Sequence, residues 1–224
     1  VKDELETLKG KPQLETLSDT AESKAYYEAL FAYKTGSSLN PSEMLEKGKS
    51  VLVSIVQDYI RLIYEDATIS RRYEKVDYGN EDPEVVLKRY QEKLLKHFPK
   101  GPEVTYTAEY LDPSITNDST IAYYLIPPYD AIEDNVIKIN PTATEGDSVT
   151  LYTTLAHEGF PGHLYQTTYY YATNPHPIRT LVDNFGYVEG YAMYVQAYAN
   201  QWALEDDKNL AEFLTLDTEM NYLL

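Results

Sequence analysis

Apolar side chains recur at helical spacing along most of the chain. Between about residues 104 and 139 the pattern switches to short runs of β-branched and aromatic residues. Residues 1–20 are polar and charged, broken by Gly10 and Pro12, and predict a loose lead-in. A helix is predicted from about Thr20 to Tyr33, closed by Gly36-Ser37-Ser38. Asn40-Pro41-Ser42-Glu43 reads as an N-cap followed by an early-helix proline. It opens a long helix with Leu45, Val51, Leu52, Ile55, Val56, Tyr59, Ile60 and Ile63 on one broad face. Glu81-Asp82-Pro83-Glu84 starts another helix, carrying Val85, Val86, Tyr90, Leu94 and Leu95 and ending near Pro99-Lys100-Gly101. His97 falls in its last turn, where a cation suits the helix dipole.

Residues 104–110, 121–126 and 136–139 then read as strands, separated by Asp, Pro, Asn and Ser. After Asn140-Pro141 the helical pattern returns. A helix from Thr150 to about Gly159 is followed by a Pro-Gly interruption, a second from Leu164 to Tyr171, and a turn at Asn174-Pro175-His176-Pro177. Helices from about Arg179 to Leu204 and from Asp206 to the end complete the pattern. No internal repeat is visible. The prediction is a mainly helical α+β fold, one domain over 1–224, with a small sheet ahead of the helix that ends near Gly159.

Composition narrows the chemistry. The formal charge of −17 over 224 residues argues against nucleic acid or an anionic membrane surface as partner. With no cysteine, any metal must be held by histidine and carboxylate. The apolar runs are far shorter than the ~18 residues of a membrane-spanning helix. Tyrosine is abundant, 23 residues, many at helical spacing, which suits core or groove wall. Both ends look cut, so the chain reads as part of a longer protein.

Three of the four histidines lie between positions 157 and 176. The run His157-Glu158-Gly159-Phe160-Pro161-Gly162-His163 pairs two imidazoles with a carboxylate. Zinc hydrolases draw neutral imidazole ligands and a carboxylate base from one such element, usually as H-E-x-x-H. Here the spacing is six rather than four, which leaves the imidazoles about 120° apart on an unbroken helix. If His163 is a ligand, the chain must leave helical geometry within 159–163, and Pro161 and Gly162 suit that departure. Glu189 lies in the apolar and aromatic stretch Phe185-Gly186-Tyr187-Val188-Glu189-Gly190-Tyr191-Ala192-Met193-Tyr194, where an unpaired carboxylate is costly. His157, His163 and Glu189 would make three ligands with a fourth position open, and Glu158 would be the base.

Plain structural readings compete. A buried histidine donating to a backbone carbonyl is commoner than a ligand, and Glu189 could pair with Arg179. His176, between two prolines, suits the surface. Tyr187, Tyr191 and Tyr194 are candidates to donate to a developing oxyanion, and Arg179 to hold a substrate carboxylate.

The run from Ala156 to Gln166 resembles the H-E-x-x-P-G-H-x-x-Q signature of the bacterial DUF885 proteins, and Glu189 to Tyr194 resembles their E-G-W-A-L-Y segment. Tyr123 to Pro128 and Asn135 to Asn140 are similar to the stretch that precedes that family's active helix. The resemblance covers roughly positions 103–200. Two positions depart from it: Tyr191 stands for the usual Trp, and Gln196 stands where a second Glu often follows. The family continues into an R-x-x-R-L-x-x-D-x-G-x-H-like helix, which would begin about where this chain stops. The resemblance implies a zincin-like fold, a peptidase-type Zn2+ site, and a parent that is exported or lipid-anchored. The expectation is metal-dependent hydrolysis of a peptide or small amide. The alternatives are a non-catalytic peptide- or glycan-binding protein that retains the fold, and a metallohydrolase of non-peptide amides or esters.

Overall fold

The computed structural model describes residues 6, 20–79, 81–116, 120–128, 130–142, 148–182 and 184–224. The polar lead-in expected over residues 1–20 lies outside these, apart from Glu6 and Thr20. Helix α1 runs Ala21–Thr35; the Thr20 hydroxyl accepts the Ser23 N–H at 3.1 Å, and Gly36 closes the helix at φ 62°. Helix α2, Pro41–Glu65, opens on the expected cap. Asn40 Oδ1 accepts the Glu43 N–H at 3.0 Å, and Glu43 Oε2 accepts the Asn40 N–H at 2.8 Å. A short helix α3, Ile69–Tyr73, was not expected; five residues are too few to show a period, and it is held by the buried Ile69 and by Tyr73 against Phe213. Helix α4, Pro83–His97, is capped by Asp82 and buries Val86, Leu87, Tyr90 and Leu94. Val85 and Leu95, also carried by this helix, are exposed.

Strands β1 (Tyr106–Tyr110), β2 (Ala122–Leu125) and β3 (Asn135–Ile139) form a sheet in the order β1-β3-β2. β3 is central, parallel to β1 and antiparallel to β2. Its alternation follows the pleat: Asn135, Ile137 and Ile139 face inward. Helices α5 (Ser148–Glu158), α6 (His163–Ala172), α7 (Phe185–Ala203) and α8 (Lys208–Leu223) follow. The architecture is α+β and mainly helical, as the pattern predicted.

The helix expected from Arg179 begins six residues later, at Phe185. Pro177–Thr180 forms a separate 3-10 turn, with His176 Nδ1 accepting the Ile178 N–H at 3.3 Å. Leu181 and Val182 beyond it are exposed, so no burial draws this segment into α7.

One core lies between sheet and helices: Leu87 and Tyr90 of α4, Ile137 and Ile139 of β3, Leu155 and Ala156 of α5, Leu164 of α6, and Ala199 and Trp202 of α7. The Tyr90 hydroxyl donates to the Tyr152 carbonyl at 2.7 Å, so the ring is buried without an orphan polar atom. A second core joins α2, α3 and α8 through Ile55, Leu62, Ile69, Leu210, Phe213 and Leu214. Arg72 of α3 pairs with both Asp66 and Asp207, tying the start of α8 to this group. α8 packs on α2 on one side and α7 on the other, and so connects the two cores. Among the described residues no helix is long and apolar enough to cross a membrane.

Candidate metal centre

Helix α5 stops at Glu158, and α6 starts at His163 with Gly162 as its N-cap. Between them residues 159–162 fold back over the end of α5. The Gly159 N–H still reaches the Leu155 carbonyl at 2.9 Å, but the Gly162 N–H returns to the Ala156 carbonyl at 2.9 Å. The Phe160–Pro161 peptide is cis. A side chain at 162 is impossible here, since a Cβ would lie 1.8 Å from the His157 carbonyl oxygen and 2.4 Å from that of Ala156. Phe160 is buried edge-on against Tyr106, with ring centroids 5.4 Å apart, which anchors the turn to the sheet. The departure from helical geometry expected within 159–163 is therefore present.

That turn reverses the divergence of the two histidines. Their ring centroids lie 4.7 Å apart, with the planes at 86°. Glu189, from α7, brings Oε2 to 3.5 Å from His157 Nε2 and 3.6 Å from His163 Nε2. One ligand atom from each of the three residues lies within 4.8 Å of the others. Ligands on a tetrahedral zinc with ~2.0–2.1 Å bonds stand about 3.3 Å apart, so the triad needs only a small contraction to close on an ion.

Electrostatics favour the ligand state. Burial pushes the His157 pKa down against the opposing pull of Glu189 and Gln196. His163 is lowered by burial and then by the charge of His157, again against Glu189. Both imidazoles are thereby biased to the neutral form that carries a free lone pair. His157 Nδ1 lies 2.9 Å from Gln196 Oε1.

Glu158 is buried beside this triad, its Oε1 3.9 Å from His157 Nε2. Its Oε2 accepts the backbone N–H of Tyr124, on the outer strand β2, at 2.8 Å. Burial pushes the carboxyl up to about 7; the Tyr124 N–H opposes this, and the charge on Glu189 adds to it.

Of the residues singled out from the sequence, His157, Glu158, His163 and Glu189 come together. Tyr187 and Tyr191 do not. Each is two residues from Glu189, or about 200° around α7, and so points away from that carboxylate. Tyr187 is exposed, whereas Tyr191 is partly buried among Tyr165, Tyr187 and Tyr194, and burial raises its hydroxyl pKa. Tyr194 is exposed too. Arg179 is exposed in the 3-10 turn, and among the described residues no ion pair joins it to Glu189. His97 sits at the end of α4, its Nδ1 3.0 Å from the Tyr198 hydroxyl. Gln196 follows Glu189 by seven residues, two helical turns, so its place beside the site was readable from α7 periodicity. The Tyr124 N–H was not, because no sequence signal says which strand edge faces α5.

No curated protein matches the chain. A crystal structure of a protein from Colwellia psychrerythraea, described as a "putative lipoprotein", is similar in fold, with a TM-score of 0.76 at 16% identity over 99% of this chain. The chain spans 42% of that protein's length. The family described as "Bacterial protein of unknown function (DUF885)" matches residues 2–222, and the chain belongs to that family.

Proposed function

We propose that the protein is a zinc-dependent hydrolase of peptide bonds, with His157, His163 and Glu189 holding the ion and Glu158 as the base. The observation that carries this reading is the convergence of two imidazoles and a carboxylate from three helices, with a second, buried carboxylate beside them. The donor set, two nitrogens and one oxygen, is that of an open catalytic zinc site. Zinc bound there would supply a Lewis acid and lower the pKa of a bound water.

The chain's own residues supply the proton handling. Glu158 Oε2 is engaged by Tyr124, so Oε1, on the side of His157, takes the proton of the attacking water and delivers it to the leaving amine. The Tyr124 N–H fixes the carboxyl plane for both transfers. A peptide substrate suits this donor set, since amide hydrolysis needs a polarised carbonyl beside a carboxylate that can carry a proton to the leaving amine. Among the described residues β2 pairs only with β3, and the Tyr124 N–H on its other side is taken up by Glu158. We further take the chain to be the catalytic portion of a longer protein, in keeping with the 42% coverage of the Colwellia protein. The description of that protein as a "putative lipoprotein" supports placing the parent outside the cytoplasm.

The test is metal content together with cleavage of a mixed peptide library by the purified protein. One zinc per chain and metal-dependent cleavage are expected. His157→Ala should lose both, whereas Glu158→Gln should keep the zinc and lose about 10²–10⁴-fold in rate. A protein that purifies without zinc and cleaves peptides equally well as His157→Ala would overturn the reading.

A further inference from the structure

We propose that Gln196 is a positioning residue that holds the His157 imidazole as its Nδ1–H tautomer, and that it couples this ring to α8 through Tyr222. The effect on metal affinity rests on the zinc reading above; the effect on the tautomer does not.

Gln196 Oε1 is 2.9 Å from His157 Nδ1 and 3.2 Å from the Tyr222 hydroxyl, which donates to it. An amide oxygen has two lone pairs and no proton, so both contacts require a donor on the other side. Nδ1 therefore carries the proton and Nε2 the lone pair. The competing acceptors on the Nε2 side are more distant, Glu189 Oε2 at 3.5 Å and Glu158 Oε1 at 3.9 Å, against 2.9 Å for the amide. The shorter contact decides which nitrogen keeps the proton. A turned amide would give the reverse: its N–H₂ would face Nδ1, the ring proton would move to Nε2, and the lone pair would be lost from the side facing Glu189.

The amide also suits the charge of the site. Glu158 and Glu189 already place two carboxylates around His157, and Gln196 orients the ring without adding a third. Tyr222 extends the support outward. It lies near the end of α8, whose Phe213, Leu214 and Leu216 are buried in the second core. The ring orientation of one ligand is thus linked to a helix that contributes no ligand.

The experiment is long-range ¹H–¹⁵N NMR of the imidazoles in the metal-free chain, alongside zinc affinity by chelator competition. Wild type should show His157 as Nδ1–H. Gln196→Ala should give a mixture of tautomers and a 10–100-fold weaker zinc affinity, the usual consequence of losing such a partner. Gln196→Glu, which keeps an acceptor in place, should restore the Nδ1–H form. Tyr222→Phe should leave the tautomer unchanged and weaken zinc binding less than Gln196→Ala. An Nε2–H tautomer in wild type, or the same tautomer in Gln196→Ala, would overturn the assignment; full zinc affinity in Tyr222→Phe would overturn the link to α8. A purely structural role for Gln196 would lower thermal stability without moving the tautomer. A tautomer that follows Gln196 in a chain without zinc affinity would support the positioning role and reject the zinc reading.

Discussion

The backbone N–H of Tyr124 donates to Glu158 Oε2 at 2.8 Å, joining the outer strand of the sheet to the last residue of the helix that carries His157. The two residues are 34 positions apart in sequence, yet this one bond orients the proposed base. It also partly offsets the cost of burying a carboxylate.

That balance gives a pH signature in the metal-free protein. The folded-state pKa of Glu158 is raised from 4.5 to about 7, so its contribution to stability is fully present below pH 4.5 and lost as the pH rises through 7. His157 and His163 are lowered, so their contributions have the opposite sign and are lost as the pH falls. The difference between wild type and Glu158→Gln isolates the first effect. Urea denaturation should show wild type losing up to about 3 kcal/mol relative to the variant between pH 4.5 and 7, at about 1.4 kcal/mol per pK unit. A difference that is flat with pH would show that Glu158 is not desolvated.

Gly162→Ala should be more damaging than an ordinary overpacked site, which costs ~1–3 kcal/mol. Its Cβ would meet backbone at 1.8 Å, and backbone cannot rotate away as a side-chain tip can. We expect a lowered thermal midpoint and loss of zinc binding together, because the same turn seats His163. Normal stability and normal zinc affinity in this variant would contradict the geometry of residues 159–163.

Zinc should stabilise the folded chain by mass action, by about 2.7 kcal/mol at a hundredfold excess over Kd. His163→Ala and Glu189→Ala should each remove most of this shift in differential scanning fluorimetry. Tyr191→Phe, which points away from Glu189 around α7, should retain it. A zinc shift that survives both ligand substitutions would place the ion elsewhere.

Asn40→Ala tests the fold away from the site. It removes the acceptor for the Glu43 N–H and half of the reciprocal cap on α2. The expected cost is ~1 kcal/mol, with zinc affinity unchanged. A loss of zinc affinity would reveal coupling between α2 and the metal site.

Local chemistry determined much of this protein from the sequence alone. Among the described residues, the caps at Asn40 and Asp82, the places of α1, α2, α4, α5, α6 and α8, and the three strands follow from side chains acting on their own backbone within a turn or two. The interruption at Pro161-Gly162 and the family resemblance were equally readable, as were His157, His163 and Glu189 as candidate ligands. Whether they meet was not readable, because a six-residue spacing separates imidazoles on a helix, and only the fold-back of residues 159–162 over α5 reunites them. Helical spacing likewise could not tell which face of α7 looks at α5. Packing against α5 turned Glu189 and Gln196 toward His157, left Tyr187 exposed, and set Tyr191 against the first core beside Tyr165. The Tyr124 N–H and the Tyr222 hydroxyl reach the site from distant parts of the chain, and such approaches are decided by how sheet and helices pack, which no local pattern encodes.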